Sequence, residues 1–146
     1  MEKAMPNWCD NRVEIYGDNP DQIKEVKKKM EGEETCFDFN NIVPMPKELE
    51  GTTAPNPEPD SFEAKRLRKQ HGHDNWYDWC CDNWDTKWNS AGADLTSDSN
   101  NSIIEYEFQT AWGPPIKVIE ALREQYPDLN ITAFYDEPGM EMAGYY

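Results

Sequence analysis

Aromatic side chains provide much of the apolar surface from which this chain can build a core. Only 22 of its 146 residues are Leu, Ile, Val or Phe, and the formal net charge is −15, a combination that is typical of disordered chains. Six Trp, seven Tyr and five Phe weigh against disorder, since each ring can bury a large apolar area and most of them fall in periodic segments. We therefore predict a single folded domain over residues 1–146 with an aromatic core.

The negative charge is spread along the whole chain rather than gathered in a tail. Such a surface repels DNA, RNA and anionic membranes, and it favours basic proteins or cations as partners. No run approaches the roughly 18 apolar residues of a membrane span, and the first residues lack an apolar signal region. We therefore expect a cytoplasmic protein whose cysteines are reduced and buried or half-buried: Cys9, Cys36, Cys80 and Cys81.

The beginning of the chain is predicted to form a strand, a helix and a second strand. Apolar and polar residues alternate over 11–16, which indicates the first strand. Asn19 can cap the helix that follows, Pro20 suits its first position, and Gly32 is predicted to end it. Alternation returns over 36–40 and predicts the second strand.

Residues 44–92 are predicted to be an insertion within the domain. Three prolines over 51–60 are typical of a stiff exposed loop, and a basic helix is predicted over 61–70. The Trp-rich segment 74–84 carries two apolar stripes at helical spacing, so we expect a helix that is buried on both stripes. A further strand is predicted over 86–91.

The rest of the chain repeats the order strand, helix, strand. Residues 94–102 are predicted to be a polar turn region, and the clear alternation over 104–108 predicts a strand with one polar face. The prolines at 114–115 begin a second amphipathic helix, and 130–135 forms another strand before a hairpin strand at 140–146. This order predicts an α+β ferredoxin-like split βαβ sandwich, with two main helices on one face of an antiparallel sheet. We expect the insertion to lie between its two halves.

Several rare Trp-containing words occur in one order across most of the chain: Met5-Pro-Asn-Trp-Cys-Asp-Asn-Arg-Val-Glu-Ile, Asn75-Trp-Tyr-Asp-Trp, Asn83-Trp-Asp-Thr-Lys-Trp-Asn, Thr110-Ala-Trp-Gly-Pro-Pro-Ile and Glu137-Pro-Gly-Met. Together they resemble the YubB-like family of small proteins from phages, prophages and conjugative plasmids. The resemblance implies a ferredoxin-like fold and a mobile-element protein in the cytoplasm of a host cell, and it implies little about activity. Asp85 stands where the family commonly has Gly, and Cys80 and Cys81 stand where other residues are usual.

Potential zinc ligands lie close together in one segment: His71, His73, Asp74, Cys80 and Cys81. Their spacing fits no established zinc pattern, and adjacent cysteines on a helix point in different directions. A nucleophilic cysteine would need a positioned base, and nothing in the sequence orients either histidine. The chain has no Gly-rich phosphate loop and no iron–sulfur spacing. We predict no catalytic residues, no cofactor and no metal site, with zinc binding by this segment as an open alternative.

The exposed positions of the clearest strand are predicted to be Glu105, Glu107 and Gln109, with Arg12 and Glu14 exposed on the first strand. Sheets that bind RNA present aromatic and basic residues at such positions, whereas carboxylates repel phosphates. We therefore predict a non-catalytic protein that binds a protein partner with a basic surface, without direct contact to nucleic acid or membrane. The predicted partner-binding residues are Glu14, Glu105, Glu107, Asp136, Glu137 and Glu141.

Two roles follow from this prediction. Glutamates two apart on a strand lie about 6.6 Å apart, close to two DNA rises of about 3.4 Å each. The acidic face could therefore occupy the nucleic-acid groove of a host-defence enzyme, as an anti-CRISPR or anti-restriction inhibitor that mimics DNA. The alternative is a structural or assembly accessory protein that binds through its Trp-rich segment. The last hairpin could also pair between copies, which would make the protein a homo-oligomer.

Overall fold

The computed structural model describes residues 7–99 and 102–146. Within these ranges five strands form one sheet: β1 (Trp8–Tyr16), β2 (Ala91–Ser99), β3 (Ile103–Ala111), β4 (Asn130–Glu137) and β5 (Met142–Tyr145). The same ranges contain four α-helices: α1 (Pro20–Met30), α2 (Phe62–His71), α3 (Trp76–Trp84) and α4 (Ile116–Gln125). Short 3₁₀ helices occupy Phe39–Asn41, Lys47–Leu49 and Pro138–Met140. No helix in the described residues is long and apolar enough to cross a membrane.

The strands lie in the order β2-β3-β1-β4-β5, and each neighbouring pair is antiparallel. β1 is the central strand, and its Val13 lies opposite Tyr106 of β3 and Ala133 of β4. Helices α1 and α4 pack their apolar residues into the same core as the inward side chains of β1. This is the split βαβ plan with β5 added at one edge. The prediction of a ferredoxin-like α+β fold is confirmed.

Helix α1 begins where its capping signals predict. The Asn19 side chain accepts a hydrogen bond from the backbone N–H of Asp21 at 3.0 Å, and Pro20 is the first helical residue. Ile23, Val26 and Met30 are buried, so the predicted apolar stripe packs against the sheet. Helix α4 likewise begins directly after the two prolines and buries Val118, Ile119 and Leu122. Local capping and periodicity therefore determined both main helices.

The predicted strand at residues 36–40 is wrong. Phe37 and Phe39 are fully buried, but the segment is a loop that leads into the 3₁₀ helix Phe39–Asn41. The Phe37 ring stacks on Phe108 with centroids 4.6 Å apart, and the N–H of Phe39 donates to the Asn89 side chain at 2.9 Å. Phe37 and Phe39 alternate with polar residues because both rings enter the core. Side chains, rather than a neighbouring strand, accept hydrogen bonds from backbone N–H groups such as that of Phe39.

The second strand of the sheet is β2, in a region that was predicted to contain a short strand at 86–91 and then a polar turn. Both of these predictions are wrong for the described residues; residues 100 and 101 lie outside them. β2 is an edge strand that pairs only with β3, and bulges interrupt its register, so its alternation of half-buried and exposed positions is weak. The segment that carries α2 and α3 consequently lies between α1 and β2, ahead of the second strand.

Helices α2 and α3 are close to their predicted positions. The Ser61 side chain caps α2, and the Asn75 side chain caps α3 by accepting from the N–H of Asp78 at 2.9 Å. Only part of the predicted double stripe of α3 is buried, because the helix packs on the core with Trp79, Cys80 and Trp84. Cys81 is exposed, so the expectation that all four thiols are at least half-buried is wrong for this residue.

Candidate protein-binding face

The outward side of the sheet is built from positions that alternate with the core. On β1, Asp10, Arg12 and Glu14 alternate with buried residues, and on β3, Glu105 and Glu107 do the same. In the described parts of the chain, α1 and α4 bury their apolar residues in the core on the opposite side. The outward side chains are therefore exposed or half-buried, as the strand periodicity predicts.

Six carboxylates on this side meet as in-register pairs, and we call them the acidic face: Asp10, Glu14, Asp94, Glu105, Glu107 and Asp136. Glu14 lies opposite Glu105, Glu107 opposite Asp94, and Asp10 opposite Asp136. Directly opposed residues have Cβ atoms about 4.5–5.5 Å apart, and like charges at that distance destabilise a sheet. The acidic face therefore concentrates repulsion between neighbouring strands.

Neutral donors, rather than cations, contact two of these carboxylates. The Thr96 hydroxyl donates to Glu105 Oε1 at 2.9 Å, and the Gln109 amide donates to Asp10 Oδ1 at 3.0 Å. Among the described residues, no Lys, Arg or His forms an ion pair with any carboxylate of the acidic face. Their negative charge therefore remains available to a partner.

Arg12 stands in the middle of the acidic face. It lies opposite Glu107 on one side and Phe134 on the other, and its guanidinium carbon is 5.3 Å from the centre of the Phe134 ring. These side chains line a depression of about 400 Å³, which Asp94 and Asp136 also border. The depression thus combines a rim of carboxylates with the guanidinium of Arg12 and the ring of Phe134.

The structure brings four of the six predicted partner-binding residues together. Glu14, Glu105, Glu107 and Asp136 belong to the acidic face. Two further residues of the acidic face were not among the predicted ones: Asp10, which has the same period as Arg12 and Glu14, and Asp94. The sequence signal for Asp10 was available, whereas Asp94 was hidden by the prediction of a turn.

The other two predicted residues lie elsewhere. Glu137 is only 4% exposed and follows Asp136 on β4, so it points away from the acidic face and cannot meet a partner there. Within the described residues its Oε1 atom has no hydrogen-bond partner. Glu141 is exposed in the turn before β5, with a φ of 53°. The periodicity of β4 alone would have separated Glu137 from Asp136.

The candidate zinc ligands do not converge. His71 Nε2 lies 2.7 Å from Glu48 Oε2, and His73 Nε2 lies 2.9 Å from Asp82 Oδ2. The hydrogen bond with His71 holds the pKa of Glu48 below its usual range. Among the described residues, no three His, Cys, Asp or Glu side chains come close enough to share a metal ion.

The thiols named as candidate nucleophiles are buried. Cys9 is fully buried and Cys80 is 2% exposed. Burial raises the pKa of Cys9 to about 11 and that of Cys80 to about 12. Both groups are therefore thiols near neutral pH, and thiols are poor nucleophiles compared with thiolates.

A second exposed surface is aromatic. Lys87 Nζ lies 4.3 Å from the centre of the Trp88 ring and 5.1 Å from that of Trp112, and Trp8 packs on Trp88 with centroids 6.0 Å apart. Trp112 is 61% exposed, and its backbone has a φ of 75°, which residues other than glycine rarely adopt. Strained backbone at an exposed ring is a feature of functional surfaces.

Comparison with known proteins supports the assignment of the fold. A family model described as the ferredoxin-like domain in Api92-like protein matches residues 83–146. This is a likeness to the Api92-like domain. The matched residues contain β2, β3, α4, β4 and β5, and thus most of the sheet.

A solved structure extends the likeness to the whole chain. The crystal structure of the protein api92 from Yersinia pseudotuberculosis superposes with a TM-score of 0.60 at 11% sequence identity, over 97% of this chain and 93% of the other. At that identity the likeness establishes the fold alone. No curated protein matches the sequence.

Proposed function

We propose that this protein is a non-catalytic binding protein whose acidic face docks on a protein with a basic surface. The observation that carries the proposal is the set of three in-register carboxylate pairs: Glu14 with Glu105, Glu107 with Asp94, and Asp10 with Asp136. Like charges directly opposite each other destabilise an antiparallel sheet. Arg12 is the cation that stands among these carboxylates, and it makes no ion pair with them among the described residues, whereas Arg66 on α2 pairs with both Glu48 and Glu63.

A basic partner would relieve this repulsion on binding. Lysine or arginine side chains placed among the carboxylates would gain attraction that the isolated protein lacks, and the field of the acidic face would accelerate their encounter. Arg12 adds a requirement, because its guanidinium makes no ion pair among the described residues. A partner that fits the depression would therefore present basic groups to the carboxylates of the acidic face and at least one carboxylate of its own to Arg12.

A narrower proposal names the kind of partner. Grooves that hold nucleic acid are typically lined by basic residues. Glu105 and Glu107 on β3 lie about 6.6 Å apart, which is close to two nucleotide rises of about 3.4 Å each. The resemblance to the YubB-like family of phage and plasmid proteins supports a host-cell setting. We propose a host-defence nuclease, either a CRISPR effector or a restriction enzyme, as the target, with the acidic face in place of DNA.

A second candidate function rests on the aromatic surface around Lys87. Trp112 is exposed despite its size, and its backbone is strained. Exposed Trp residues are common anchors of protein interfaces. A structural or assembly accessory protein would bind through these rings, and its affinity would depend little on salt, whereas binding by the acidic face would weaken steeply as salt rises.

An oligoarginine peptide tests the acidic face directly. We expect the peptide to shift the NMR signals of β1 and β3 amides. The variant Glu14→Gln/Glu105→Gln/Glu107→Gln should bind it about tenfold more weakly than the natural chain. A matched control removes the same charge from exposed helix positions: Glu25→Gln/Glu120→Gln/Glu124→Gln. Equal losses in the two variants, or signal shifts confined to helices, would contradict the proposal.

The nuclease proposal is tested by DNA protection. A purified restriction endonuclease and a CRISPR effector nuclease are each mixed with the natural chain, the acidic-face variant and the helix control at rising salt. We expect protection of DNA by the natural chain and the control at low salt, and its loss in the acidic-face variant. Absence of protection at low salt contradicts the narrower proposal, and tight binding of the protein to DNA itself contradicts both.

A further inference from the structure

Two sulfur atoms from distant parts of the chain meet beside α3. The Cys80 thiol donates a hydrogen bond to the Met45 thioether, with Sγ and Sδ 3.6 Å apart, although 35 residues separate them in sequence. Cys80 is 2% exposed and lies on the helix, and Met45 is half-buried in the segment before the 3₁₀ helix Lys47–Leu49. The pair therefore depends on tertiary structure alone.

Both sulfurs are held in place by contacts of their own segments. The N–H of Met45 donates to the Asn40 side chain at 3.1 Å, which fixes the backbone that carries the thioether. The indole N–H of Trp84 donates to the carbonyl of Val43 at 2.8 Å and so ties that segment to α3. The two sulfur atoms are thus held near each other by the protein, before any ion binds.

The pair opens onto an apolar pocket. Cys80 and Met45 line a cavity of about 310 Å³, together with the rings of Trp76, Trp84 and Trp88. Glu50 and Lys87 are the charged residues among those that line it. A small ion could therefore reach both sulfurs from solvent while most of the surroundings stay apolar.

We propose that Cys80 and Met45 bind one soft monovalent metal ion, Cu(I) or its analogue Ag(I). Thiolate and thioether sulfurs are the ligands that select Cu(I) over harder cations. With metal–sulfur bonds of about 2.3 Å, the length of a Zn–S bond, sulfurs 3.6 Å apart subtend an angle of about 100° at the ion, so the two sulfurs alone do not complete its coordination. This angle leaves the pocket side of the ion open, where an indole ring can contribute a cation–π contact.

Binding would exchange a proton for the ion. The Cys80 thiol loses its proton to solvent, the thiolate forms the bond to the metal, and the Met45 thioether adds its lone pair without any change of protonation. One proton is therefore released for each ion bound, and no electron is transferred. The neighbouring Cys81 is exposed and does not line the pocket, so it serves as a matched control.

The test is a titration with Ag(I), which does not change oxidation state, against a competing chelator. The reference protein is the full chain with Cys36→Ser and Cys81→Ser, which removes the half-buried thiol and the exposed one. We expect one ion to bind, with release of one proton and quenching of Trp fluorescence. Adding Met45→Leu should weaken binding about tenfold or more, and adding Cys80→Ser should abolish it.

Circular dichroism establishes that each variant is folded, and Met45→Leu keeps the test decisive if Cys80→Ser unfolds the chain. Unchanged affinity in Met45→Leu would overturn the proposal, since a single thiol would then account for binding. Absence of stoichiometric binding by the reference protein would overturn it as well. Retention of affinity in a folded Cys80→Ser variant would do the same, because Cys9 would then be the ligand.

Discussion

The two faces of the sheet come from the same strands, yet they contribute to the protein in opposite ways. Inward from β1 and β3, side chains such as Val13, Ile15 and Tyr106 are buried against the helices. Outward from the same strands, carboxylates such as Glu14 and Glu105 face one another without a cation. The inner face therefore stabilises the fold, while the outer face brings like charges close together. The two-residue period of the strands thus separates core packing from surface charge.

The largest effect is expected from a cavity on the inner face. Tyr106→Ala removes a ring that is 1% exposed and packs against Phe37 with centroids 5.2 Å apart. We expect a loss of about 3–5 kcal/mol in the free energy of unfolding, measured by urea denaturation. The control is Tyr16→Ala, an outward residue of β1 that is 39% exposed and should cost less than about 1 kcal/mol. Similar costs for the two variants would remove the distinction between the faces.

A smaller loss is expected when an inward polar group is removed. The Asn11 amide donates to Thr110 Oγ1 at 2.9 Å, and its carbonyl oxygen accepts from the Tyr146 hydroxyl at 2.8 Å. Asn11→Ala removes one hydrogen bond from buried Thr110 and one from half-buried Tyr146, so we expect a loss of about 1–3 kcal/mol by the same measurement. Gln109→Ala removes an outward amide and should change stability by no more than about 0.5 kcal/mol. Equal losses of stability in the two variants would mean that inward and outward polar groups contribute equally to the free energy of unfolding.

Neutralising the acidic face should raise stability. Glu105→Gln removes one charge of the pair with Glu14, and we expect the free energy of unfolding to increase by about 0.2–1 kcal/mol, the size of interactions between exposed charges. A double-mutant cycle with Glu14→Gln isolates the repulsion between the two carboxylates. The gain should shrink in about 1 M salt, where screening is strong, and Glu120→Gln on α4 provides the comparison. A destabilised Glu105→Gln variant would show that the face is not under repulsion.

The smallest effect concerns pH. The hydrogen bond with His73, and then the charge of Lys117, hold the pKa of Asp82 below its usual range. A lowered carboxyl pKa adds stability above the ordinary Asp value, and this contribution disappears as pH falls through the lowered pKa. Asp82→Asn should therefore be less stable than the natural chain near pH 5 and nearly equal to it near pH 2. Urea denaturation at both pH values checks this, and a difference that grows on acidification would contradict it.

Several elements could be predicted because their signals are local. The Asn19 cap and Pro20 mark the start of α1, the proline pair precedes α4, and alternation through Tyr106 marks β3. Three residues of the acidic face, Glu14, Glu105 and Glu107, followed from alternation on β1 and β3. β2 could not be predicted, since an edge strand with half-buried positions resembles a polar loop until β3 is placed beside it.

The sequence by itself determined the main helices, the clearest strands and the sign of the surface charge, because capping, periodicity and composition act within a few residues. Only the tertiary structure decided which carboxylates oppose one another and that Cys80 meets Met45. Those facts depend on strand register and on contacts between distant segments. Packing of the whole core sets them, and no local signal encodes them.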